Sequence, residues 1–85
     1  MKKREITKAV REALRNVSPD ADLKHLDPDV NFRDQFEMDS LDFLAFVLRL
    51  EQRFGRKLPE SDYPRLSSLT GCLEYLGSRG SASRG

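Results

Sequence analysis

The residues best placed to do chemistry in this chain are the four from Asp39 to Asp42, Asp-Ser-Leu-Asp. They stand between residues 32–38, which show no sustained helical or strand period, and the strongly apolar residues 41–54. The second stretch contains no proline or glycine and predicts one helix. Ser40 is expected to be the N-cap of that helix, where backbone N–H groups and the helix dipole favour a phosphate. The motif therefore offers a modifiable hydroxyl at a position that suits a phosphate ester.

Size and composition predict one small soluble domain. The chain has 85 residues, of which 38% are hydrophobic and 34% are charged, as in globular rather than disordered proteins. A net charge of +1 is no electrostatic footprint for binding nucleic acid. No apolar run approaches the length of a membrane span, and the N-terminus lacks a signal-peptide core, so we expect a cytoplasmic protein.

The sequence offers few residues that could form a metal site or a catalytic site. Cys72 is the only cysteine and His25 the only histidine. The cysteine falls in the apolar pattern of the last predicted helix, where a small buried thiol is expected. A hydrolase or transferase built on Ser40 would need a base and an orienting acid, and the sole histidine lies in a predicted loop. We therefore expect no metal site, no catalytic residues and no enzyme activity.

Apolar spacing predicts an all-α fold, a small four-helix bundle with a long first loop and a short third helix. The predicted elements are a first helix, a second helix, a short helical turn and a final helix, at about residues 5–16, 41–54, 60–63 and 68–76. Gly77 is expected to end the last helix. We expect a domain over residues 1–77 and a disordered tail over residues 78–85.

The long first loop covers residues 18–39. Connections of this length are unusual unless they are functional or are held against the core. Apolar residues recur in it and can hold it there, namely Leu23, Leu26, Val30, Phe32 and Phe36.

The second predicted helix carries two apolar stripes, although a bundle needs only one. The core stripe consists of Phe43, Phe46, Val47, Leu50 and Phe54. The second stripe, rotated away from the first, consists of Leu41, Leu44, Ala45 and Leu48. So small a bundle cannot bury every face of the helix, so the second stripe predicts a docking surface for a partner. The alternative is that Leu44 and Leu48 pack under the long first loop.

Most of residues 5–77 resemble the acyl carrier protein family. The resemblance rests on the Asp39–Asp42 motif, on Phe32 upstream, and on the passage from Leu50 and Phe54 to Leu58-Pro59. It implies a four-helix bundle of the acyl-carrier type, in which Ser40 carries a covalent 4′-phosphopantetheine arm that comes from coenzyme A. The arm would hold an acyl group as a thioester.

The resemblance also implies the neighbours of this arm and the partners of the chain. Asp39 and Leu41 would accompany Ser40 at the attachment site. A phosphopantetheinyl transferase would attach the arm, and an acyl-loading ligase or synthase and downstream acyl-transferring enzymes would act on a monomeric carrier. The residues that would contact these partners are Leu41, Asp42, Leu44, Ala45, Leu48, Glu51 and Gln52. Those that would line a cavity for the acyl chain are Phe46, Val47, Leu50 and Phe54.

The chain departs from the family pattern at two places. Glu37 and Met38 stand before the motif, where the family usually has a glycine. The second helix is close to neutral because Arg49 and Arg53 offset its acidic residues, whereas the typical family helix is strongly acidic. Partners that steer onto acidic carriers should recognise this chain less well. We therefore expect a specialised carrier in fatty-acid, lipid or polyketide-type biosynthesis.

Two other functions stay open at the level of sequence. A peptidyl carrier of a non-ribosomal-peptide-type system would have the same fold and an aminoacyl load, although Asp39 favours the acyl type. An unmodified helical adaptor would use Ser40 only as a cap. Incubation with coenzyme A and a broad-specificity transferase separates the adaptor from a carrier, because only a carrier gains mass.

Overall fold

The protein folds as a helical bundle in the computed structural model, which describes the backbone of residues 2–82 and the side chains of residues 2–77. Its α-helices are α1 (Lys3–Val17), α2 (Phe32–Gln35), α3 (Ser40–Phe54) and α4 (Leu69–Ala82). Two 3-10 segments, Leu23–His25 and Glu60–Leu66, complete the described elements, and no strand occurs among them. The predicted all-α class is confirmed, with the second 3-10 segment in the place of the short third helix.

The core forms where α1, α3 and α4 meet. Helix α1 is amphipathic, and its apolar residues at helical spacing all turn inward: Ile6, Ala9, Val10, Ala13 and Leu14. From α3 come Phe46, Val47 and Leu50, each 0% exposed. Each large side chain so buried contributes about 1.5–3 kcal/mol relative to an exposed one. The bundle is therefore held by the apolar stripes that its helical periodicity predicts.

The connection between α1 and α3 is more ordered than a loop, since it contains the first 3-10 segment and α2. Phe32 is fully buried, and its ring packs edge-on against Phe46 with centroids 5.2 Å apart. The Phe32 N–H donates to the Ser67 carbonyl oxygen at 2.7 Å, and the Thr70 N–H donates to that of Pro28 at 2.9 Å. The predicted attachment of this segment to the core is confirmed, and hydrogen bonds to the far end of the chain complete it.

Helix α3 ends in a left-handed turn at Gly55, whose φ of 65° suits a residue without a Cβ atom. The chain then turns back under a side chain of the same helix. Glu51 Oε2 accepts a hydrogen bond from the Leu58 N–H at 2.7 Å, and Leu58 is buried. Glu51 thereby fixes the link that follows α3.

Helix α4 corrects the predicted C-terminal boundary. The helix continues through Gly77 to Ala82, where the sequence predicts that it ends at Gly77. Gly55 is the only glycine with a positive φ among the described residues, so Gly77 makes no helix-ending turn. A glycine inside a helix costs only about 1 kcal/mol, which is too little to stop it. Of the predicted disordered tail, residues 78–82 are thus helical, and residues 83–85 lie outside the described part.

Tyr75 is a core residue that the sequence pattern misses. It is 1% exposed, and its hydroxyl donates to Asp62 Oδ2 at 2.5 Å. The Arg65 guanidinium lies over its ring, 4.9 Å from the centroid. These contacts tie α4 to the second 3-10 segment, which continues past the predicted turn and through Pro64 to Leu66. A Cβ atom at Gly71 would clash with the Arg65 carbonyl oxygen, so this packing also requires glycine there.

Candidate functional site

An aspartate caps α3. Asp39 has extended backbone angles, and its Oδ1 accepts a hydrogen bond from the Asp42 N–H at 2.8 Å. The Asp42 carboxylate accepts in return from the Asp39 N–H at 3.4 Å. The predicted N-cap role of Ser40 is therefore wrong, because Ser40 is the first helical residue. A carboxylate both reaches the free N–H and carries the charge that the positive end of the helix dipole favours.

The change of cap leaves the Ser40 side chain free. Ser40 is exposed, and its hydroxyl makes no hydrogen bond to any described residue. The leading N–H groups of an α-helix have no intrahelical acceptors, and Asp39 takes up only that of Asp42. Ser40 thus presents a solvent-accessible hydroxyl beside backbone donors that no described residue accepts from, which suits a phosphate group bound to its oxygen.

A groove of about 580 Å³ opens beside Ser40, between the start of α3, the α2 turn and the second 3-10 segment. Apolar groups of Leu41, Phe43 and Tyr63 form much of its wall. Its other lining residues are Asn31, Arg33, Ser40, Leu44, Glu60, Pro64 and Ser67. None of the four residues expected to line an acyl-chain cavity is among the described lining residues of this groove. Phe46, Val47 and Leu50 are fully buried, and Phe54 is half-buried elsewhere on α3. Sequence reasoning misses Arg33 and Tyr63, because no local spacing links them to Ser40.

The second apolar stripe of α3 faces outward. Leu41, Leu44 and Leu48 are 73%, 39% and 46% exposed, and they are the exposed large hydrophobic residues of the described part. We call them the leucine patch. The alternative that Leu44 and Leu48 pack under the first connection is wrong. The opposite stripe is the core stripe, as predicted, although Phe54 is only half-buried.

The other residues predicted to contact partners divide into two kinds. Gln52 is exposed and Ala45 half-buried, next to the leucine patch. Asp42 is engaged in the helix cap, and Glu51 holds the Leu58 N–H. Asp42 and Glu51 therefore have structural hydrogen bonds of their own.

The edge of α3 that faces α1 is basic. Arg49 and Arg53 are exposed there and line a shallow groove with Glu12 and Asn16. Within 4.0 Å, the pair formed by His25 and Asp22 is the only salt bridge among the described side chains. Both arginines are thus without a carboxylate partner in the described part of the chain.

Neither Cys72 nor His25 has the surroundings of a reactive side chain in the described part of the chain. Cys72 is fully buried, and its thiol donates to the Leu66 carbonyl oxygen at 3.3 Å. Burial raises the pKa of this thiol to about 12, so it is protonated and inert at neutral pH. The exposed His25 contacts Asp22 at 2.6 Å and, chiefly through that hydrogen bond, lowers the pKa of the aspartate. The described residues hold no cluster of three or more groups that could ligate a metal ion.

The described helices include none that is both long and apolar enough to cross a membrane. The longest of them, α1 and α3, have 15 residues each.

Comparison with known proteins gives a family match and several relatives. The family model described as "Phosphopantetheine attachment site" matches residues 4–76. The chain is 36% identical over 50 residues to an acyl carrier protein of Lactobacillus johnsonii, an alignment that covers 59% of this chain and 62% of the relative. It is 33% identical over 60 residues to the polyketide-8 synthase acyl carrier protein 2 of Streptomyces avermitilis, covering 71% and 69%.

The alignment with a plant relative covers more of this chain than the two above. Over 76 residues the chain is 28% identical to the mitochondrial acyl carrier protein 2 of Arabidopsis thaliana, covering 89% of this chain and 60% of the relative. The chain thus spans about three-fifths of the length of the Lactobacillus johnsonii and plant relatives. No solved structure matches it significantly.

The match of the family model runs from the start of α1 into α4 and includes the whole Asp39–Asp42 motif. With this coverage, and with a relative of 33% identity aligned over 69% of its length, the chain belongs to the acyl carrier protein family, whose phosphopantetheine-attachment domain carries a covalent 4′-phosphopantetheine.

Proposed function

We propose that Ser40 is the attachment point of the 4′-phosphopantetheine arm and that the chain carries acyl groups on it. The observation that carries this proposal is the free, exposed hydroxyl of Ser40 at the first position of α3. Members of this family are carriers and not catalysts, so the chain's part is to position the arm and to be recognised.

The attachment step needs only the hydroxyl from this chain. A transferase would remove the Ser40 proton, the serine oxygen would attack the phosphorus of coenzyme A that bears the pantetheine, and the adenosine bisphosphate part would leave. The result is a phosphodiester at the start of α3. There the N–H groups of Ser40 and Leu41, which have no acceptor in the described part of the chain, favour its negative charge together with the helix dipole.

The arm supplies a terminal thiol, which holds an acyl group as a thioester. No side chain of the domain competes with it, because the buried Cys72 thiol has its pKa raised to about 12. The groove beside Ser40 offers Leu41, Phe43 and Tyr63 as an apolar wall next to the attachment point.

The leucine patch is proposed as the surface on which the transferase and the acyl-transferring enzymes dock. Leu41 adjoins Ser40, and Leu44 and Leu48 continue the patch along α3. An exposed apolar cluster next to a reacting group suits a partner that must bring its active site to that group. Ala45 and Gln52 extend this surface, and Leu41 and Asp39 flank the attachment site.

A specialised role follows from the charge of α3. Its acidic residues, Asp42 and Glu51, are balanced by Arg49 and Arg53. Rim charges act mainly on the rate of association, so a partner that selects acidic helices would bind this one slowly. We propose a cytoplasmic, monomeric carrier that serves a dedicated ligase or synthase of fatty-acid, lipid or polyketide-type biosynthesis.

The test is attachment of the arm in vitro. The purified chain is incubated with coenzyme A and a broad-specificity phosphopantetheinyl transferase, and its intact mass is measured. We expect a gain of one phosphopantetheine in the native chain and none in Ser40→Ala.

Ser61→Ala is the matched control, since Ser61 is also exposed but lies in the second 3-10 segment. A mass gain in Ser40→Ala would move the attachment site elsewhere. No gain in the native chain, with a known carrier modified in the same tube, would favour the helical adaptor.

A further inference from the structure

Basic side chains form a row along one face of α1. Arg4, Lys8, Arg11 and Arg15 follow one another at intervals of four, three and four residues, so they lie one above the other on the helix. All are exposed except Arg11, which is half-buried and donates from Nη1 to the Leu23 carbonyl oxygen at 3.1 Å. We call these residues the basic row.

The basic row is not compensated by the described part of the fold. None of its members lies within 4.0 Å of a carboxylate among the described side chains. Like charges three and four residues apart destabilise a helix, and Arg4 stands near the end where the dipole disfavours a cation. A shallow groove of about 540 Å³ runs along the same residues, and Glu12 is the only acidic residue among its described lining residues. A row of four cations with one carboxylate beside it is suited to an external anionic surface.

The chemistry of that surface follows from what surrounds the row. Residues 2–17 carry six basic and two acidic side chains, while the whole chain carries only +1, so the remainder is net acidic. A long polyanion such as duplex DNA would meet this acidic remainder. Stable anchoring to a membrane takes an apolar group as well as basic residues, but the exposed large hydrophobics of the described residues all lie on α3. A short acidic protein segment meets neither obstacle.

The spacing of the row also fits such a segment. Successive cations of the row are separated by about 4.5–6 Å along the helix axis, from the rise of 1.5 Å per residue. In an extended chain, side chains on the same face recur about every 6.6 Å. Carboxylates at alternate positions of an extended segment can therefore pair with the row in sequence.

We propose that the basic row of α1 is a second docking surface, which binds an extended protein segment with acidic residues at alternate positions. The surface works independently of the arm, because it includes neither Ser40 nor the leucine patch. It would hold the carrier on a partner protein while α3 and the arm remain free to reach an active site.

Binding of a labelled peptide tests this proposal. The probe is a fluorescein-labelled heptapeptide of alternating glutamate and serine, titrated with the full chain by fluorescence anisotropy at low salt and at physiological salt. We expect binding that weakens with salt and that falls about ten-fold in Lys8→Glu. Lys57→Glu is the matched control, because Lys57 is exposed and lies outside the row. This substitution lowers the net charge by the same amount as Lys8→Glu. The control should bind as the native chain does.

Four results would overturn the proposal. The first is the absence of binding at low salt in native protein that circular dichroism shows to be folded. The second is equal loss in Lys8→Glu and Lys57→Glu, which would mean that net charge alone attracts the peptide. The third is tighter, Lys8-dependent binding to phosphatidylserine vesicles or to duplex DNA than to the peptide. The fourth is self-association of the native chain that Lys8→Glu abolishes, seen by sedimentation. Ser40→Ala should bind the peptide normally, so failure of the attachment proposal would be seen separately.

Discussion

The Asp39 carboxylate accepts a hydrogen bond from the backbone N–H of Asp42 at 2.8 Å, and this bond spares the Ser40 hydroxyl from capping α3. The tasks of starting the helix and of offering a hydroxyl thus fall to adjacent residues. A serine that capped the helix would have its oxygen held by a backbone donor. The separation lets the oxygen of Ser40 react without loss of the cap.

The division of tasks predicts different stability effects at the two positions. Asp39→Ala should lower the free energy of unfolding by about 1 kcal/mol, because the N–H of Asp42 loses its acceptor. Ser40→Ala should change it by less than about 0.5 kcal/mol, as expected for a surface position without a hydrogen bond. Urea denaturation followed by circular dichroism measures both. Asp39→Asn retains an oxygen acceptor and should recover much of the loss. A larger cost at Ser40 than at Asp39 would contradict the assignment of the cap.

The two stripes of α3 predict opposite effects of leucine substitution. Leu50 is 0% exposed, so Leu50→Ala should cost roughly 2–5 kcal/mol of stability through lost burial and a cavity. Leu48 is 46% exposed, so Leu48→Ala should cost far less, and Leu48→Asp should slow arm attachment by the transferase. Denaturation and the initial rate of mass gain are the measurements. Equal destabilisation by the two alanine substitutions would show that Leu48 belongs to the core.

The buried thiol of Cys72 predicts the count of reactive thiols. Since Cys72 is 0% exposed and protonated at neutral pH, the folded apo form should not react with an aromatic disulfide reagent. The form that carries the phosphopantetheine arm should show one reactive thiol, the terminal thiol of the arm. Unfolding in urea should add one reactive thiol to each form. Rapid reaction of the folded apo form would contradict the burial of Cys72.

The same thiol predicts a loss of stability in alkali. Burial raises its pKa from 9.0 to about 12 in the folded state, so the unfolded state releases the proton first. The thiol's contribution is complete below about pH 9 and is lost as the pH rises toward 12. Urea midpoints between pH 8 and pH 11, roughly spanning that window, should fall more steeply in the native chain than in Cys72→Ala. Parallel curves would mean that other groups govern the alkaline transition.

The neutral charge of α3 predicts poor use by enzymes that recognise acidic carriers. Ala45→Glu with Arg53→Glu should speed acyl transfer by a general fatty-acid enzyme, most clearly at low salt, because rim charges steer association. The matched control, Lys57→Glu with Ser61→Glu, makes the same change in net charge away from the leucine patch. A competition assay of the modified proteins compares the rates. If the native chain already serves as well as an acidic carrier, the specialised role loses its main support.

Sequence periodicity by itself determined α1 and α3 and their faces, whereas it missed the short α2 in the first connection. The spacing in α1 and α3 places apolar residues on the core side, and it separates Leu50 from Leu48, because a helical period is a local property of neighbouring residues. The Asp39–Asp42 motif likewise locates the candidate site at the start of α3. The resemblance carried by that motif supplied the family, and the predicted helix starts fall within about two residues of those observed.

Only the tertiary structure decided which groups meet across the chain. The first connection is ordered by the hydrogen bond from the Phe32 N–H to the Ser67 carbonyl oxygen. Buried Tyr75 has its hydroxyl hydrogen-bonded to Asp62. The groove beside Ser40 forms because Tyr63 is folded against the start of α3, its ring 6.0 Å from that of Phe43. Such contacts join residues far apart in sequence, so no local period encodes them. The cap is a subtler case, since Asp39 and Ser40 both suit that position, and the backbone conformation at Asp39 selects the aspartate.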